Sequence, residues 1–105
     1  MIGLELQILL TVMRQGGNAY GVSIATDIES RIGRRHSLGA IYTTLERLEG
    51  KKYIISIEGE ATFERGGRKK RYFELTALGQ TVINDALDAT NKLSKGIRGL
   101  KGANI

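Results

Sequence analysis

The stretch "SLGAIYTTLERLEGKKYIISI", residues 37–57, changes its hydrophobic period partway along. Leu38, Ile41, Leu45 and Leu48 recur at intervals of three and four, the spacing of one helix face, and Ser37 stands where an N-cap belongs. "YIISI" then places apolar, β-branched residues in alternation and reads as a strand. A helix passing directly into a strand narrows the choice of architecture, because 105 residues suffice for one small core only.

The rest of the chain supplies the partners. "RYFEL" reads as the second strand, and "EGEATFERGGRKK" between the two makes a long hairpin tip, with Gly59 and Gly66-Gly67 giving turn geometry. Upstream, Ile2 to Arg14 carries apolar residues around roughly two thirds of a helical wheel. "RQGGN" stops that helix, and Asn18 is the expected cap of the next, whose stripe is Tyr20, Ile24, Ile28 and Ile32. Thr76 is expected to cap a last helix in which Leu78, Val82, Ala86, Ala89, Leu93, Ile97 and Leu100 step by three or four. Gly96, Gly99 and Gly102 each cost about 1 kcal/mol in a helix interior, so fraying is expected beyond Lys95 unless a partner holds the segment.

The predicted fold is mainly α with a small β-hairpin, α+β in class and α-α-α-β-β-α in order, a helix-turn-helix followed by a two-stranded wing. Residues 1–75 are expected to form the DNA-binding part and 76–105 a dimerisation helix with a frayed tail, within one compact unit.

Charge indicates the partner. Between Arg31 and Arg71 eleven Lys/Arg face five Glu, whereas the remainder has five Lys/Arg against six Asp/Glu, so the middle of the chain holds all of the net +5. A localised basic surface points to an anionic partner, with double-stranded DNA first. The absence of Cys excludes disulfides, thiol nucleophiles and thiolate metal sites, and suits the cytoplasm. "MIGLELQILLTVM" is interrupted by Glu5 and Gln7 and is too short to span a bilayer, so it reads as a core helix, with no membrane role.

Arg65, Arg68, Lys69, Lys70 and Arg71 at the wing are candidates for phosphate or minor-groove contact, and Gly66 and Gly67 let the tip bend and bring backbone amides near phosphate oxygens. The competing reading is a solvated charge run that discourages edge-to-edge pairing. In the third helix Ser37, Tyr42, Thr43 and Arg47 are candidates for the groove and its flanking phosphates, on an exposed face expected to include Thr44 as well. Tyr42 could equally bury its ring and show only its hydroxyl. Arg34 and Arg35 in the preceding turn are candidates for flanking phosphates, and His36 reads as an ordinary turn residue.

The over-apolar first helix and the heptad-like last one need cover, so Leu4, Ile8, Val82, Ala86, Ala89, Leu93 and Ile97 are the expected homodimer interface. No metal-ligand cluster, phosphate loop, nucleophile elbow or catalytic triad can be assembled, so no cofactor, no metal and no enzyme activity are expected. Two other classes remain: a winged-helix adaptor holding an acidic protein, and an RNA-binding module, which the lack of exposed aromatic pairs disfavours.

The blocks "ELQILL", "AYGVSIATDI", "SLGAIYTTLERLEGKKYI" and "GGRKKRYFELTALG" together resemble the PadR family of bacterial transcriptional regulators, over roughly Leu4 to Ile83. The resemblance implies a winged helix-turn-helix repressor acting as a homodimer on a pseudo-palindromic operator. It also implies a terminal helix that dimerises and in some members helps bind a small-molecule effector. The short tail is similar to the branch with a single C-terminal helix. The chain departs from the family pattern at Thr43-Thr44, where many members carry a proline, at "KKYI", and in a last helix without an aromatic residue.

Overall fold

Ile41, Leu45 and Leu48 expose no surface at all, and α1, α2 and β1 pack against α3. The computed structural model describes residues 2–61 and 69–100, without the side chains of residues 60, 61 and 69. In chain order it holds α1 (Leu4–Gln15), a 3-10 turn (Gly16–Asn18), α2 (Gly21–Ile32), α3 (Leu38–Gly50), β1 (Ile54–Ala61), β2 (Lys69–Leu75) and α4 (Ala77–Ser94). The α-α-α-β-β-α order expected from the sequence is the observed one. Among the described residues, no helix is long and apolar enough to cross a membrane.

The helix ends follow from local chemistry. Ser37 Oγ accepts from the Ala40 N–H at 3.1 Å, and Thr76 Oγ1 accepts from the Gly79 N–H at 3.0 Å, so both expected caps are in place. Gly33 closes α2 in the left-handed conformation, its N–H donating to Glu29 O at 2.9 Å. Asn18 does not cap α2. The Phe73 N–H donates to Ala19 O at 2.8 Å, which draws Ala19 out as an extended bridge beside β2 and moves the helix start to Tyr20. There the Tyr20 N–H donates to Ser23 Oγ at 2.9 Å, and Ser23 Oγ in turn donates to Gln15 Oε1 at 2.7 Å.

β1 and β2 pair antiparallel, with Ile54 opposite Leu75, Ser56 opposite Phe73 and Glu58 opposite Arg71. The register shifts by one residue between Glu58 and Ala61, where β1 has one residue more than β2. β1 runs on to Ala61 and β2 begins at Lys69, so both strands extend beyond "YIISI" and "RYFEL" into the stretch expected as the tip, of which residues 62–68 lie outside the described residues. Alternation sends Ile54 and Phe73 into the core while Ile55 and Ile57 stay exposed on the outer face.

Three expectations for the helix faces are corrected. Thr44 is only 5% exposed and donates from Oγ1 to Ala40 O at 2.8 Å, because it lies three residues from Ile41 and four from Leu48, on the buried stripe. Leu38 and Ile32 end their stripes in solvent, at 45% and 52% exposed, each at the helix terminus beyond the core. Ile8 is fully buried by the chain itself, packed with Leu9 and Val12 of α1 into the common cluster, and has no surface left to offer a partner.

At the base of the wing, Tyr53 O accepts from both the Thr76 N–H and Thr76 Oγ1, each at 3.0 Å. Gly79 lies against that carbonyl so closely that a Cβ there would stand 2.1 Å from the oxygen. α4 contributes Ile83 to the core, with Val82 and Leu87 packed against it, and then leaves the body. The helix stops at Ser94, and Gly96 and Gly99 both take positive φ.

Candidate nucleic-acid interface

With about 3.6 residues per turn, the side of α3 opposite Ile41, Thr44, Leu45 and Leu48 is occupied by Gly39, Thr43, Glu46 and Gly50. All four are exposed. Tyr42 flanks this face on one side and Arg47 on the other.

Tyr42 is neither wholly buried nor free of the body. The hydroxyl end of its ring lies against the start of α2, where a Cβ on Gly21 would stand 2.3 Å from Cζ and 2.4 Å from the hydroxyl oxygen, yet the residue remains 39% exposed. The phenol therefore rests at the N-terminus of α2, the end of a helix dipole that favours negative charge. Next to it, Tyr20 meets Tyr72 edge-on at 5.8 Å between ring centroids, and Lys70 Nζ sits 4.6 Å from the Tyr20 ring centre. α3, the start of α2 and the outer part of the wing thus adjoin through Tyr42, Gly21, Tyr20 and Lys70.

Arg47 is oriented differently from the expectation of a free groove residue. Its guanidinium lies 3.5 Å from Glu5 Oε2, and Lys51 Nζ lies 3.1 Å from Glu5 Oε1, so both cations of this flank are tied to the first turn of α1. Such exposed pairs are worth about 1 kcal/mol or less and exchange readily with a stronger anion. Arg35 pairs with Glu29 at 3.0 Å, and Arg34 is exposed beside it. Arg71 is drawn to Glu49 near the C-terminal end of α3, on the core-facing side of β2.

Arg65, Gly67 and Arg68 lie outside the described residues; Lys69 is placed by its backbone in β2. His36 does more than the sequence suggested, for its Nε2 stands 3.2 Å from Oε1 of the buried Gln7 and ties the α2–α3 turn to α1. Gly21 and Glu5 were also missed as parts of this surface. Each acts through a partner distant in sequence, and no local periodicity announces it. Glu46 was legible, being three residues from Thr43 on the same face.

Three helices, a two-stranded wing after the third and a closing helix define a winged helix-turn-helix protein. The chain belongs to the PadR-like family of transcriptional regulators, whose family model matches residues 9–85. Its coarse role follows: a DNA-binding regulator of transcription, not an enzyme. Solved structures share the fold at low identity. A PadR-like transcription factor from Bacteroides fragilis matches at 22% identity and TM-score 0.76 over 88% of this chain and 84% of that one. A PadR family regulator from Clostridium difficile gives 22%, 0.72, 87% and 90%, and a transcriptional regulator from Clostridium thermocellum 22%, 0.73, 88% and 86%. Among curated proteins no sequence matches.

Proposed function

We propose that the chain is a homodimeric repressor that occupies a pseudo-palindromic operator in the cytoplasm, residues 1–75 meeting DNA and 76–105 joining two copies. The observation that carries this reading is the bare face of α3 around Gly39 and Thr43, with Tyr42 and Lys70 beside it at the start of α2. Thr43 faces base edges, while Ser37, Tyr42, Arg34, Arg35 and the wing residues Arg65, Arg68, Lys69 and Lys70 meet phosphates. Gly67 gives the wing its close approach.

Dimerisation is supported by the outer part of α4. Beyond Leu87 the helix has no buried residue, and Leu93 is 81% exposed, with Ile97 and Leu100 also exposed after it. A lone two-turn projection of this kind is marginal in water. Ala89, Leu93 and Ile97, with the half-buried Leu4, Val82 and Ala86, form the surface that a second copy covers. The two α3 helices then enter successive major grooves about 34–36 Å apart.

A fluorescence titration against a selected operator tests the reading. With about four phosphates neutralised per subunit, affinity falls by several powers of ten between low and moderate salt. Arg68→Ala with Lys69→Ala weakens binding to all DNA and flattens the salt slope; an unchanged slope removes the wing contact. Leu93→Asp yields monomers by sedimentation at micromolar concentration, and a wild-type chain that is itself monomeric there refutes the dimer. Equal binding to unrelated acidic polymers, without a preferred DNA site, would instead identify an adaptor for an acidic partner.

A further inference from the structure

Glu46 occupies the middle of the exposed face of α3, one turn beyond Thr43 and two beyond Gly39. Nearby acids are each matched to a cation: Glu5 to Arg47 and Lys51, Glu29 to Arg35, Glu49 to Arg71. Glu46 has no hydrogen-bond or ion-pair partner among the described residues, and its neighbour Arg47 is engaged by Glu5. An unneutralised carboxylate thus stands at the centre of a surface that otherwise suits a polyanion.

Near phosphate such a group is repelled. In the major groove, however, it is an acceptor-only side chain, and the exposed base donors there are the amino groups of cytosine N4 and adenine N6. Adenine sets an acceptor, N7, beside its amino group and so meets a carboxylate with repulsion, whereas the pairing of Glu with cytosine N4 has no such conflict. Along the helix axis Glu46 lies about 4.5 Å from Thr43, roughly one base-pair step. We infer that Glu46 is a base-reading residue that selects cytosine in each half-site and, by repelling phosphate, lowers binding to non-operator DNA. The inference rests on the reading of α3 as the groove-entering helix.

The test is selection from a random duplex pool, run in parallel with wild type, Glu46→Gln and Glu46→Ala, each first shown by its thermal melt to be folded. Wild type is expected to prefer cytosine at one position per half-site by roughly tenfold. In Glu46→Gln that position shifts toward adenine, because an amide both accepts from N6 and donates to N7. In Glu46→Ala the preference at that position alone relaxes, and both variants bind random duplex several-fold more tightly than wild type. Variants that keep the wild-type base at every position would overturn the inference while leaving the regulator reading intact. A wild-type protein that selects no site at all would remove both.

Discussion

Gly79→Ala probes the joint through which the wing is attached to the dimer helix. The added Cβ would stand 2.1 Å from Tyr53 O, 2.7 Å from Leu75 Cδ1 and 3.0 Å from the Tyr53 carbonyl carbon. A carbon and a carbonyl oxygen normally rest more than about 3 Å apart, so the backbone must separate by roughly 1 Å. The carbonyl cannot turn aside freely, because it accepts from both the N–H and the hydroxyl of Thr76. Overpacking of this kind costs about 3 kcal/mol, offset by about 1 kcal/mol of better helix propensity, leaving a net loss of about 2 kcal/mol. For a domain of this size that is a fall in Tm of roughly 10 °C, read by circular dichroism at 222 nm at one fixed protein concentration. Thr76→Ala, which removes the cap but adds no atom, is expected to lose about 1 kcal/mol. Gly50→Ala, with nothing within 4 Å of its new methyl, stays within a few tenths of wild type. A Gly79→Ala protein melting with Gly50→Ala would refute the close-approach argument.

Three further outcomes follow from the interface. Gly39→Ala meets nothing nearer than Ser37 Oγ at 3.9 Å, so its melt is unchanged, while operator affinity falls if α3 approaches the groove closely. Gly21→Ala displaces the Tyr42 ring and destabilises wild type by about 2 kcal/mol, but has little effect in a Tyr42→Ala background; equal losses in the two backgrounds would deny the contact. Glu5→Gln releases Arg47 and Lys51, changes stability by about 1 kcal/mol or less, and raises affinity for duplex DNA, with an unchanged titration showing that neither cation reaches the backbone.

The joint and the interface differ in how far they could be read before folding. Ser37 and Thr76 announce their helices because a cap is a local bond to an amide three residues away, and both are found doing this. The strands "YIISI" and "RYFEL" are legible for a similar reason, since burial of one face writes alternation into the chain. Asn18 misled because the competing force is distant: Phe73, 55 positions along, takes Ala19 as a strand partner and postpones α2. Thr44 looked like a groove residue by its hydroxyl, although its spacing from Ile41 and Leu48 puts it on the buried stripe.

By itself, then, the sequence determined the elements, their order, the concentration of positive charge in the middle third and the family pattern, because these depend on periodicity, caps and composition within short windows. Tertiary structure alone decided which side chains share a surface. It seats Tyr42 on Gly21, holds Lys70 over Tyr20, ties Arg47 to Glu5 and leaves Glu46 unpaired among the described residues. Each of these pairings depends on packing between elements far apart in the chain, where a single ångström separates a contact from a clash and no local rule carries the distance.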